Sequence, residues 1–403
     1  MKPLSRPARH SSATRPGNET LLVHAGAPTG VLAGPVNPPL YRFSTVCYDT
    51  VAEYQAAHDQ RFDHLLYGRL GSPTTWALED ALCELEGAHD AVLTSSGLAA
   101  IQLALMANLK SGDHLLMTDA VYQPARNFCD TILSRFGITT DYYDPLIGAN
   151  IEGLMRPNTR VVYVESPASN TFEVQDVPAI AAVAHARDAV VIADNTWATG
   201  LFFRSFDHGV DVTVHAGTKY IVGHSDAMVG VVLSNAQVAE RIRQYWSDSG
   251  CAIGPDDAFL ALRGLRTMAL RLDRHGANAL TIAQWLEGHH DIEQVLYPAL
   301  ASHPQHALWK RDFQGASGLL SIVPKARSEA AVNALVDALQ WFGIGASWGG
   351  YESLALPAKP LRTVSARPWS GERSAVRLHI GLEQVNDLMV DLDGALQQTR
   401  NIT

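Results

Sequence analysis

An α/β fold with a mainly parallel sheet, an N-terminal arm and a smaller C-terminal α+β domain is predicted by three observations. Short apolar runs alternate with helical patterns from residue 91 to residue 194. One of those runs, 189–194, reads A-V-V-I-A-D and ends in a single acid, as a buried parallel strand does when it delivers a carboxylate at its C-terminal edge. Beyond Arg266 the alternation gives way to long helical patterns punctuated by prolines. The expected organisation is therefore an arm over 1–70, an α/β domain over 71–265 and an α+β domain over 266–403.

The elements follow in order. An extended arm runs through Gly68. Strand 91–94 leads to helix 98–108, strand 114–118 to helix 123–136, and strand 161–165 to helix 180–186 and strand 189–194. Parallel strands need crossover helices, so both faces of the sheet should be covered and the site should lie at its carboxyl edge. A further β-rich run opens the stretch 210–230. In the last third a helix spans 270–288, a strand 318–323 and a helix 329–339, with Pro298, Pro304, Pro357, Pro360 and Pro368 marking loops.

Within 210–230, V-D-V-T-V-H-A-G-T-K-Y-I-V-G-H-S-D-A-M-V-G, an isolated lysine, Lys219, stands between Thr218 and Tyr220 at the mouth of an apolar strand. Desolvation there lowers its pKa and exposes a nucleophilic amine able to form a Schiff base. Asp194 calls for a cationic partner, which a protonated pyridine nitrogen of pyridoxal phosphate supplies; the plainer alternative is that it caps the turn N-T-W. The run 91–105, A-V-L-T-S-S-G-L-A-A-I-Q-L-A-L, breaks at Ser95, Ser96 and Gly97 into a helix, whose start is a ready anion seat or an ordinary N-cap turn. The order of the three, phosphate loop, acid, then lysine, favours the cofactor reading.

Composition sets limits. The 403 residues carry a net charge of −10, which argues against nucleic acid as a partner, and no apolar run reaches membrane-spanning length. Cys47, Cys83, Cys129 and Cys251 are scattered, as reduced thiols of a cytoplasmic protein are. His289-His290 and His303 with His306 lack a recognisable ligand spacing, so no metal is expected. Residues 1–16 contain Arg6, Arg9 and Arg15 and no acid, a composition that permits a transit peptide but is read here as a mobile tail.

Longer words join these signals: Y-G-R at 67–69, E-S-P at 165–167, D-N-T-W at 194–197, T-K-Y at 218–220, G-H-S-D at 223–226, S-W-G-G-Y-E-S-L at 347–354 and R-L-H-I-G-L-E at 377–383. Together they resemble the Cys/Met-metabolism family of pyridoxal-phosphate enzymes over nearly the whole chain, and the tryptophan of S-W-G-G-Y-E-S-L is similar to the bacterial cystathionine β-lyase branch. The resemblance implies an aspartate aminotransferase-like fold of type I and pyridoxal 5'-phosphate as cofactor. It implies phosphate contacts from Gly97, Leu98 and Thr218, a ring-nitrogen partner in Asp194, and Lys219 and Tyr122 as catalytic groups, with Tyr122 stacked on the cofactor. Tyr67 and Arg69 would reach a neighbouring subunit's cofactor in a homo-oligomer, a tetramer built from dimers. Ser347, Trp348 and Arg377 would bind a small amino-acid substrate, Arg377 by a bidentate fork on its carboxylate.

Each residue also has a plainer reading. Tyr122 before a proline turn suits simple packing, Arg377 alternates with apolar residues as an outward-facing strand arginine does, Tyr67 and Arg69 suit a solvated loop, and Trp348 suits a space-filler beside glycines. Ala216, Leu70 and Asn170 depart from the family's pattern. The implied activity is carbon-sulfur β-elimination from cystathionine or a cysteine S-conjugate, in methionine biosynthesis and transsulfuration. The alternatives are a γ-lyase or γ-synthase, or a catalytically silent homologue that only binds.

Overall fold

Segments of five to seven residues, too short for helices and rich in apolar residues except in β3 (T-T-D-Y-Y), pair into a seven-stranded sheet: β1 Asp90–Thr94, β2 His114–Thr118, β3 Thr139–Tyr143, β4 Thr159–Glu165, β5 Val190–Asp194, β6 Val212–Ala216 and β7 Gly230–Ser234. This is a computed structural model, which describes residues 6, 15–26, 36–326, 328–364 and 374–400. The strand order is β1-β7-β6-β5-β4-β2-β3, with β7 antiparallel to both its neighbours and the other adjacent pairs parallel. Strands β2 and β7, each one in from an edge, are buried along their full length, as expected of a sheet covered on both faces.

A second sheet, β8 Ile292–Leu296, β9 Leu319–Pro324, β10 Gly343–Ile344, β11 Leu354–Ala358 and β12 Ala375–His379, has the order β10-β11-β12-β9-β8 and is antiparallel except at β10 and β11. One apolar layer is continuous from beneath the large sheet into this second unit, joining Leu82, Val191 and Tyr220 to Leu320 and Leu392. The opposite face of the large sheet packs a separate layer around Leu103, Tyr163 and Val214.

Several expectations need correction. The arm is not extended throughout: α1 Asn18–His24 buries Leu21 and Leu22, and α2 Val51–Asp59 starts where the Thr50 side chain accepts the Glu53 N–H. Arg6, expected in a mobile tail, is pinned by Glu79 at 3.0 Å and Asp80 at 2.6 Å; apart from Arg6, Arg15 and Pro16, the transit-peptide stretch lies outside the described residues. The amphipathic helix α3 Pro73–Glu86, closed by a Ser72/Thr75 capping box, was not anticipated. The helix expected over 123–136 stops at Thr131, passes into a 3₁₀ turn at Leu133–Phe136, and ends at Gly137 with φ 71°. Pro357 lies within β11, not in a loop; β10 covers only Leu354 and Ala355 on that side, so the missing N–H costs no ladder bond. Pro368 lies outside the described residues.

Candidate active site

The carboxyl ends of the parallel strands converge on a cavity of about 540 Å³. Its walls carry Gly97, Tyr122, Asp194, Lys219, Trp348 and Arg377, so residues drawn from both sheets meet in one place. Leu98, Thr218 and Ser347 line it as well, whereas Tyr67 and Arg69 do not. Tyr67 is nearly half exposed, and the Arg69 Nη1 donates to Ser247 O at 2.7 Å.

Lys219 sits three residues beyond the end of β6. Its Nζ donates to Ser347 Oγ at 2.7 Å and lies 5.5 Å from the centre of the Trp348 ring. Burial lowers the pKa of this amine to about 8, and the nearby Arg377 guanidinium adds to the effect. The loop opposite comes very close: Gly349 has φ 89°, and a Cβ there would stand 2.9 Å from Lys219 Cα, so a side chain has no room.

Asp194 ends β5 in register with Glu165 at the end of β4. Its Oδ1 accepts from Thr196 N at 2.9 Å and Thr196 Oγ1 at 2.6 Å, so the turn-capping role is real. Its other oxygen takes no hydrogen bond among the described residues. Burial raises the pKa of this carboxyl against the pull of the Thr196 bonds, and a buried carboxylate with a spare oxygen suits a protonated ring nitrogen. Capping and cofactor pairing thus use different oxygens of one side chain.

The anion seat is the start of α4 Gly97–Met106. Ser96 caps it by accepting the Ala99 N–H at 3.2 Å, while the Gly97 and Leu98 N–H groups have no acceptor within the helix. A Cβ on Gly97 would lie 2.5 Å from Ala216 Cβ, so glycine lets this helix start rest on β6. The Thr218 hydroxyl donates to Val229 O at 3.2 Å and would have to turn away to serve an anion. Donor set, acid and amine together fit pyridoxal phosphate. Arg377, on β12, donates to Ser347 O at 3.2 Å and has its pKa lowered by burial.

Two site residues went unread in the sequence. The Glu165 carboxylate accepts the Tyr122 N–H at 2.8 Å and so fixes the approach to α5 Gln123–Thr131; burial and the Asp194 charge push its pKa well above the carboxylate range. The signal was present, since V-V-Y-V-E ends in an acid just as V-V-I-A-D does. His379 is the other, taken up below. Asn170 lines the cavity with φ 64°, a left-handed conformation that asparagine tolerates better than an apolar residue, which accounts for its departure from the pattern. At His289-His290 the neighbouring Asp291 supplies a third possible ligand, but Asp291 also binds Arg400 Nε at 2.7 Å and His289 faces Asp393.

The description "Cys/Met metabolism PLP-dependent enzyme" matches residues 19–397. A putative cystathionine β-lyase of Rhizobium johnstonii is 49% identical over 382 residues, covering 94% of this chain and 95% of its own. Cystathionine β-lyase MetC of Escherichia coli is 43% identical over 385 residues, covering 93% and 97%. The crystal structure of metB from Corynebacterium glutamicum superposes with a TM-score of 0.87 at 29% identity, covering 95% of this chain and 98% of that one.

Proposed function

The chain belongs to the Cys/Met-metabolism family of pyridoxal-phosphate-dependent enzymes, and we propose that it is a carbon-sulfur β-lyase cleaving cystathionine or a similar cysteine S-conjugate. One observation carries the reading: Lys219, Asp194 and Arg377 line a single cavity in a chain 49% and 43% identical to proteins named as cystathionine β-lyases.

Bound pyridoxal phosphate supplies a carbonyl that takes up the substrate amine and a ring that stores the electron pair left at Cα. Asp194 would pair with the ring nitrogen and keep it protonated. Gly97, Leu98 and the Thr218 hydroxyl would hold the phosphate, and Tyr122 would hold the ring. Arg377 forks onto the α-carboxylate, which fixes Cα within reach of Lys219. Lys219, its pKa brought down to about 8, removes the Cα proton. Trp348 narrows the site so that the cysteine-derived half is the one held there, and the Cβ–S bond breaks with the electron pair leaving on sulfur. The balance is cystathionine plus water giving homocysteine, pyruvate and ammonia.

Tyr67 and Arg69 complete the site of a neighbouring subunit, in a tetramer built from two dimers and working in the cytoplasm. Their position outside their own chain's cavity supports the shared site. No described helix is long and apolar enough to cross a membrane. Incubating the holoenzyme with cystathionine tests the assignment: pyruvate and homocysteine are expected in equal amounts. Release of 2-oxobutyrate and cysteine would move the chain to the γ-elimination branch.

A further inference from the structure

Arg377 and His379 are two residues apart on β12, so both side chains leave the same face of the strand. Arg377 reaches the cavity, while His379 stops beneath it, 1% exposed. The His379 Nε2 accepts the Gly349 N–H at 3.1 Å and its Nδ1 donates to Glu352 O at 3.0 Å. Those partners bracket the turn that follows Ser347 and Trp348, which both face the Lys219 amine.

Arg377 holds the segment leading into that turn, its Nη2 donating to Gly345 O at 3.4 Å and Ser347 O at 3.2 Å. A carboxylate held in the guanidinium fork takes one hydrogen of that same nitrogen. When a carboxylate takes the fork, this upper anchor is weakened and the turn must be kept in place from below. We propose that His379, as a neutral imidazole protonated at Nδ1, is the positioning residue that keeps Ser347 and Trp348 over Lys219 while Arg377 is engaged by substrate. The inference rests on Arg377 binding the substrate carboxylate.

The surroundings suit an uncharged ring. An imidazole that accepts at one nitrogen and donates at the other cannot be imidazolium, whose second N–H would face that of Gly349. The Tyr220 and His275 rings pack against it, and the charged groups that act on it most are Arg377 and Lys219, both cations. Burial, His275 and the two cations keep the His379 pKa well below the usual histidine value. His275 is itself fixed, with Nδ1 on Ile380 O at 2.7 Å and its ring 5.1 Å from that of His379.

The test compares His379→Gln, whose side-chain oxygen can still accept the Gly349 N–H, with His379→Leu, which cannot. The readouts are cofactor content, the dissociation constant of glycine from the cofactor absorption change, KM and kcat for cystathionine, and the nitrogen NMR shifts of His379 in the holoenzyme. Glycine carries amine and carboxylate but no leaving group, so its binding reads the clamp even if the β-lyase assignment fails. His379→Leu should retain cofactor yet raise the glycine dissociation constant and KM about tenfold, the scale of one lost hydrogen bond. His379→Gln should stay within about threefold of the wild type. The NMR signature should be that of the neutral Nδ1–H tautomer. Unchanged glycine binding in His379→Leu, equal losses in both variants, or an imidazolium signature would each overturn the proposal.

Discussion

At the scale of the residue, Lys219 yields the sharpest expectation. With its pKa at about 8, about a tenth of the amine is neutral at pH 7, against about 0.03% for a lysine at the unperturbed value. Lowering a lysine pKa enlarges the neutral fraction at a given pH, so kcat should rise with pH and level off above about 8. Lys219→Ala should retain cofactor noncovalently, since Asp194 and the start of α4 remain, and lose the covalent adduct that borohydride traps, together with turnover. Normal turnover in that variant would remove the amine from the mechanism. Lys219 and Asp194 were legible in the sequence because each is a lone chemical group in an apolar run. The acid of Glu165 was visible at a strand end, but its hold on the Tyr122 N–H 43 residues away was not, and nothing marked His379, whose partner Gly349 is 30 residues away; only the fold brings these groups near.

At the scale of the element, the anion seat depends on how closely α4 rests on β6. Gly97→Ala places a methyl group against Ala216, at 2.5 Å from Cβ and 2.7 Å from Cα, and both of those atoms are short and fixed. The helix start must therefore lift, moving the Gly97 and Leu98 N–H groups away from the phosphate. Cofactor affinity is expected to fall by about tenfold or more, read by equilibrium dialysis. Ala216→Gly in the same chain relieves one of the two contacts and should recover part of the loss, because neighbouring substitutions are not additive. A Gly97→Ala protein with wild-type cofactor affinity would mean that the phosphate is held elsewhere. The helix itself was readable from S-S-G-L, and so was the strand–helix alternation of the large sheet. What was not readable is how ends pair: β7 runs against both neighbours, and Pro357 sits in a strand whose partner is short. Pairing direction and edge length come from the assembled sheet, not from the residues of a single strand.

At the scale of the whole molecule, the chain brings together an acid, an amine, an anion seat and a carboxylate fork, but leaves Tyr67 and Arg69 outside its own cavity. The Y-G-R stretch opens on an isolated bridge between Thr45 and Tyr67, which ties it to the preceding loop. If these residues serve a second copy, a two-fold dimer holds two composite sites, each using Lys219 from one subunit and Arg69 from the other. Lys219→Ala and Arg69→Ala should then each be inactive, or nearly so, as pure proteins. Mixed in equal amounts and allowed to exchange subunits, half the dimers are hybrids, and each hybrid has one site with both residues intact. The expected recovery is about a quarter of wild-type activity, following from that symmetry alone. Arg69→Ala also loses the bond to Ser247 O, so its melting temperature must be measured beside its activity. Full activity in pure Arg69→Ala would make each subunit self-sufficient, and an exchanged mixture without recovery would place the defect within the chain that carries it.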